Sequence, residues 1–274
     1  MPENSRHIMS CLILYRCGKK QSGVYLDEGV APDGLMGLGL GNISVPSLLA
    51  KSGLIRNSFS LCFNENGSGR IYFGDQGLTT HQWTQFLPLD GKYSTYVVGV
   101  DAVCIGKSTC LKQTSFHAVV DSGFSFTFMP KDVYKKFTQE FDREIKADRV
   151  SYEGYPWDYC YESSGEELPN FPSVELMLPS NRSFVVQYPF FPVIGDQGIM
   201  GYCLAIERAE GDIAIIGHNF MTGYRMVFDR ENMKLGWSHS DCKCSELCCL
   251  LQDFCFAICS SAVPSDPALH YIAI

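Results

Sequence analysis

Apolar residues along most of this chain come in short runs separated by Gly, Pro, Asn and Ser, a period that belongs to strands rather than helices. Phe59 to Gly77 reads as two strands around the turn Asn64-Glu65-Asn66-Gly67-Ser68-Gly69. Those glycines make a hairpin and not a phosphate cradle, because no suitably placed helix or lysine follows them. Tyr93 to Ile105, rich in valine and aromatics, reads as another strand-like stretch. From 150 to 212 apolar runs alternate with turn residues throughout, predicting many short antiparallel strands. Two stretches carry a helical signal instead. Val45-Pro46 opens a short helix through Leu48, Leu49 and Ala50, with Gly53 placed to close it in a left-handed conformation. After Pro130, the residues Val133, Phe137, Phe141 and Ile145 recur every four positions with Lys, Glu and Asp between them. That is an amphipathic helix whose aromatic residues belong to the core rather than to a ligand platform.

One apolar run ends unlike the others. Ala118-Val119-Val120 leads into Asp121-Ser122-Gly123 and then Phe124-Ser125-Phe126-Thr127-Phe128, which puts a carboxylate at the inner end of a buried strand. An ionised carboxylate is costly there unless hydrogen bonds or a function account for it. Taken alone, an Asx turn closing the strand is the simpler account. A second run changes the balance. Ile213-Ala214-Ile215-Ile216-Gly217-His218-Asn219-Phe220 ends in glycine and is followed by Gly223-Tyr224-Arg225-Met226-Val227-Phe228-Asp229-Arg230 and Lys234-Leu235-Gly236-Trp237.

Together the two runs resemble the C-terminal lobe of a pepsin-like aspartic protease, in which the Ile-Ile-Gly strand threads beside the catalytic loop and glycine permits the close approach. Asp33-Gly34-Leu35-Met36-Gly37-Leu38-Gly39 is similar to the equivalent motif of the N-terminal lobe. Ile43-Ser44-Val45-Pro46-Ser47-Leu48-Leu49 and Asn57-Ser58-Phe59-Ser60-Leu61-Cys62-Phe63 resemble the plant, nepenthesin-like branch, and the likeness runs in order from about Cys17 to Cys242. It implies an all-β fold with few short helices: a nearly complete C-terminal lobe carrying a fragment of the N-terminal one. The boundaries it suggests are 1–55 for that fragment, 56–85 for the sheet joining the lobes, 86–241 for the catalytic-type lobe and 242–274 for a cysteine-rich tail.

The function this resemblance implies is endopeptidase hydrolysis of a protein or peptide by water held between two aspartates, with no metal and no organic cofactor. Asp121 is then the second-lobe aspartate, supported by Ser122, Gly123 and Thr127. Two departures stand out. No partner aspartate is visible, since Asp27, Asp33 and Asp75 lack an Asp-Thr/Ser-Gly context. Phe124 occupies a place where the family usually carries a hydroxyl that hydrogen-bonds the aspartate. The alternative reading is a catalytically inactive lobe that binds a peptide or a protein. The chain is expected to be a monomer, its surface too full for a second copy to complete the dyad.

Cysteine usage and charge narrow the setting. Thirteen cysteines suit an oxidising compartment, and sequons at Asn42, Asn66 and Asn181 point the same way, to a secreted glycoprotein. No convincing signal peptide is present, the run Cys11-Leu12-Ile13-Leu14-Tyr15 being too short. Cys104 and Cys110 bracket a short glycine-containing turn and are placed to close a local disulfide; His117 alone adds too little for a metal site. The resemblance further implies a Cys160–Cys203 disulfide, and Cys62 with Cys242 is a plausible long-range bridge. A net charge of −8 with no basic run along the chain argues against nucleic acid. Membrane anchoring is left open: the apolar run Leu247–Val263 is interrupted by Asp253 and is short of the roughly 20 residues a spanning helix needs. Beyond Cys242 a loosely structured tail is expected.

Overall fold

The computed structural model describes residues 35–65, 67–106, 109–163, 171–196 and 198–242, and the backbone of 255–259. Asp27, Asp33, Gly34 and the sequon at Asn66 lie outside these residues. So do Cys244, Cys248, Cys249 and Asp253.

The chain folds as the apolar pattern predicts, strand after short strand. A first helix, α1 (Val45–Lys51), has Pro46 in its first turn and ends where Gly53, at φ +70°, donates to the Ala50 carbonyl. Strands β1 (Ser58–Phe63) and β2 (Ser68–Phe73) make the first hairpin. Then follow β3 (Gln82–Gln85), β4 (Leu87–Leu89), β5 (Lys92–Val100), β6 (Ala102–Ile105), β7 (Thr109–Cys110), β8 (Phe116–Val120) and β9 (Thr127–Met129). Helix α2 (Lys131–Glu144) buries Val133, Phe137 and Phe141, the apolar stripe that the four-residue spacing marks. Its charged positions face outward, as in the Glu140–Arg143 pair.

The second half adds β10 (Arg149–Val150), β11 (Cys160–Glu162), β12 (Val174–Leu178), β13 (Arg182–Val186), β14 (Phe190–Gly195), β15 (Gly198–Leu204), β16 (Ile206–Arg208) and β17 (Ala214–Ile216). A single helical turn, α3 (His218–Met221), leads into β18 (Tyr224–Asp229) and β19 (Lys234–His239), with β20 (Cys255–Cys259) beyond.

These strands form four sheets. One six-stranded sheet, in the order β20-β2-β1-β18-β19-β3, brings the first three strands and the last three together. The other six-stranded sheet, β16-β9-β17-β8-β5-β4, carries the candidate site. A continuous core joins them, with Phe59 stacked on Phe228 at 4.7 Å and Tyr96 edge-on to Phe228 at 4.9 Å. Tyr96 is fully buried, and its hydroxyl donates to the Leu38 carbonyl at 2.7 Å, which satisfies the one polar atom the ring brings into the core.

Two expectations need correction. Among the strands of 150–212, β16 is not antiparallel: it runs parallel to β9, with Ile206 opposite Thr127. A long connection through α2 and the β10–β15 region separates the two, and only such a crossover lets neighbouring strands point the same way. The tail is not wholly loose either, because Cys255–Cys259 pairs antiparallel with β2, Cys259 opposite Ser68. An edge strand such as β2 offers a row of backbone N–H and C=O groups on its outer side, and here β20 takes them up. Among the described residues no helix is long and apolar enough to cross a membrane.

Candidate functional site

Asp121 lies directly after β8, whose Ala118 and Val120 are fully buried while His117 points outward to solvent. The aspartate itself is half-buried, Ser122 is buried, and Gly123 donates its N–H to Asp121 Oδ1 at 2.8 Å. That bond is the Asx turn the sequence suggests, so one carboxylate oxygen is oriented by the backbone.

The second motif sits beside this loop. Strand β17 runs parallel to β8 with Ile216 opposite Val120, and the Asp121 N–H donates to the Ile216 carbonyl at 3.0 Å. Past Ile216 the chain crosses the loop. His218 N–H donates to the Phe124 carbonyl at 2.7 Å and Asn219 N–H to the Ser125 carbonyl at 3.0 Å. Gly217 makes the crossing possible, since a β-carbon there would lie 2.2 Å from the Phe126 carbonyl oxygen.

Thr127 closes the arrangement. Its buried hydroxyl accepts from the Gly217 N–H at 3.1 Å and donates to Asn219 Oδ1 at 3.0 Å. The Asn219 amide in turn donates to the Ala205 carbonyl at 2.7 Å. A buried N–H without a partner costs as much as a lost hydrogen bond, so Thr127 and Asn219 are what make the crossing tolerable. Sequence reading picks out Thr127 but misses Asn219, whose signal is its place two residues after the glycine.

Phe124 is 41% exposed and stands edge-on to Phe128 at 5.8 Å, a ring at the mouth of the loop. His218 packs against Phe63 at 4.3 Å, and burial pushes its imidazole down to about 4, so it is neutral over most of the pH range. Asp75, an acidic residue before Asp121, is committed elsewhere: it accepts from Arg225 Nε at 2.9 Å, from the Gly77 N–H at 2.9 Å and from the Ser60 hydroxyl. Among the described residues no three His, Cys, Asp or Glu side chains gather as a metal site requires.

Among the described residues three disulfides tie the surroundings. Cys160–Cys203 joins directly opposed positions of β11 and β15, Cys104–Cys110 closes the β6–β7 turn, and Cys62–Cys242 bridges 180 residues. The sequons at Asn42 and Asn181 are both on exposed residues.

Comparison with known proteins gives the arrangement a setting. Residues 95–239 match the family described as "Xylanase inhibitor C-terminal", and residues 5–75 match "Xylanase inhibitor N-terminal". "Aspartic proteinase-like protein 1" of Arabidopsis thaliana is 55% identical over 242 residues, covering 88% of this chain and 45% of the relative. "Aspartyl protease family protein 1" of the same plant is 41% identical over 247 residues, 89% of this chain and 47% of the relative. The chain therefore spans about half the length of the curated relatives it matches. Among solved structures, basic 7S globulin from soybean superimposes with a TM-score of 0.63 at 20% identity, over 76% of this chain and 57% of that one. Conglutin gamma from lupine seeds does so at 0.60 and 22%, over 75% and 56%. At these identities the likeness speaks for the fold alone.

Proposed function

Since this chain belongs to the family that unites xylanase-inhibitor-like and plant aspartic-protease-like proteins, we propose that it is the second half of an aspartic endopeptidase site, with Asp121 as one carboxylate of the pair. The observation that carries this is the loop itself. Backbone bonds from Gly123, His218 and Asn219, with the Thr127–Gly217–Asn219 chain behind them, hold a half-buried carboxylate at a fixed place on the sheet. Such preorganisation is expensive unless the carboxylate reacts.

The chemistry asks for two carboxylates sharing one proton, because like charges so close cannot both ionise. The ionised one takes a proton from water as its oxygen attacks the scissile carbonyl carbon, while the protonated one donates to the carbonyl oxygen. The resulting diol collapses as a proton reaches the amide nitrogen and the C–N bond breaks. Ser122, Gly123 and Thr127 position Asp121; the partner is a second aspartate in the same context, and residues 1–120 contain no Asp-Thr-Gly or Asp-Ser-Gly. Such a site takes a protein or peptide substrate, and the disulfides suit a secreted protein working in an oxidising compartment.

The experiment is a fluorogenic peptide-cleavage assay in acidic buffer on the chain alone and on the chain mixed with the N-terminal half of the 55%-identical relative. The chain alone is expected to show no appreciable turnover as a monomer. The mixture is expected to gain turnover that Asp121→Asn abolishes. Concentration-independent activity of the chain alone, or activity indifferent to Asp121→Asn, would sink the proposal.

One observation favours a second reading, a lobe that binds peptide without cutting it. Phe124 offers an exposed ring beside Asp121 in place of a hydroxyl that would orient the carboxylate. Peptide that binds the chain uncleaved, and loses affinity in Phe124→Ser, would favour it.

A further inference from the structure

We infer that the groove between α2, the β10–β11 region and the end of β16 is a binding site for an acidic saccharide, a sugar chain carrying carboxylates. The groove encloses about 250 Å³. Lys131 and Lys135, four apart on α2, share one helix face along it. Arg149 and Arg208 come to it from β10 and β16. Four cations thus meet from three separate segments of a protein whose net charge is −8. Among the described residues none of the four makes an ion pair.

Arg149 is held in place. Its Nε and Nη2 donate to the Asp158 carbonyl at 3.1 and 2.8 Å, and the guanidinium lies 4.0 Å over the Tyr159 ring. A charge fixed in this way loses little freedom when it meets an anion. Lys131 and Lys135 remain exposed, as does Arg208.

The other lining groups argue for a sugar rather than a bare anion. Tyr134 and Tyr159, edge to face at 6.4 Å, line the groove beside the cations, with Arg149 seated over the Tyr159 ring, and their phenolic hydroxyls add neutral donors and acceptors that suit sugar hydroxyls. Asp158 also lines the groove, and a carboxylate only accepts, so a ligand that meets it needs donors as well as negative charge. Hydroxyls and carboxylates on one ring meet both demands. The adjoining recess of about 550 Å³ shares Lys131 and Arg208 but adds Asp132, Glu210 and Asp212, and its balance is acidic. The anionic part of the ligand therefore sits on the α2–β10 side, and its hydroxyls extend toward the recess.

The test is calorimetric titration of the whole chain with trigalacturonate at low ionic strength, with a neutral trisaccharide, an acidic tripeptide and inorganic phosphate as parallel probes. Trigalacturonate is expected to bind, and to bind less tightly as salt is raised. Arg149→Ala, which removes the anchored cation, or Lys135→Ala with Arg208→Ala, which removes two others, should raise the dissociation constant about tenfold or more. Lys51→Ala, which changes net charge as Arg149→Ala does but lies on α1, should leave it unchanged. Absence of trigalacturonate binding, or binding that ignores the groove variants, would overturn the site. Equal binding of the acidic tripeptide or of phosphate would overturn the saccharide assignment.

Discussion

At the scale of single residues, the loop crossing rests on the absence of one methyl group. An alanine at Gly217 would press its β-carbon against the Phe126 carbonyl oxygen at 2.2 Å and the Phe124 carbonyl oxygen at 2.9 Å. Both are backbone atoms that cannot rotate away. Gly217→Ala is therefore expected to destabilise by about 3 kcal/mol or more, the upper end of overpacking costs. That corresponds to a melting temperature lower by roughly 6–12 °C. Gly211→Ala, with nothing within 4 Å of its β-carbon, is the control and should change little. Thermal unfolding of the pair measures the difference.

His218, next in the chain, makes a pH prediction. Burial lowers its folded pKa from the ordinary 6.5 to about 4, so between those values the unfolded chain binds the extra proton and the folded one does not. The stability it permits is fully present above pH 6.5 and is lost as pH falls towards 4. His218→Leu keeps the contact with Phe63 apolar and removes the titration. Denaturant midpoints measured across that window should then fall less steeply with acid in the variant than in the natural chain. Parallel slopes would mean the imidazole is not held neutral.

Among the elements, the three disulfides differ in what they constrain. Cys104–Cys110 closes a turn already made by β6 and β7, with a separation of 6 residues. Cys160–Cys203 spans 43 residues across paired β11 and β15. Cys62–Cys242 joins β1 to the chain just past β19 and spans 180. Loop-closure entropy grows with the length enclosed, giving about 2 kcal/mol for the shortest and about 5 kcal/mol for the longest. Serine pairs at Cys62 and Cys242 should therefore lower the melting temperature more than serine pairs at Cys104 and Cys110. Calorimetry on the two double variants reads the ranking directly, and the reverse order would show that the long loop is already constrained when unfolded.

Over the whole molecule, the local features were legible along the chain. The α2 stripe of Val133, Phe137 and Phe141 announces itself because a helix repeats its environment every turn. The hairpin of β1 and β2 shows in its turn residues, and Asp121 stands out because a carboxylate ending an apolar strand is costly. Each of these signals lies within about one element's length. The parallel seating of β16 on β9 was not legible, since partner choice depends on a crossover and not on either strand's own residues. Asn219 was missed for the same reason: its bonds to Thr127 and Ala205 join segments 92 and 14 residues away.

By itself, the order of apolar and polar residues determined a chain of short strands with few short helices and a carboxylate at a strand end, while the glycine packed beside that carboxylate entered through the family resemblance. The strands, the helices and the place of the carboxylate follow from steric and solvation rules that act between near neighbours. Only the tertiary structure decided that Thr127 satisfies the Gly217 N–H, that Asp75 is spent on Arg225, and that Lys131, Lys135, Arg149 and Arg208 share one groove. No basic run exists to be read, because charge adds up by distance in space, and it is the folding of α2 against β10 and β16 that brings the four together.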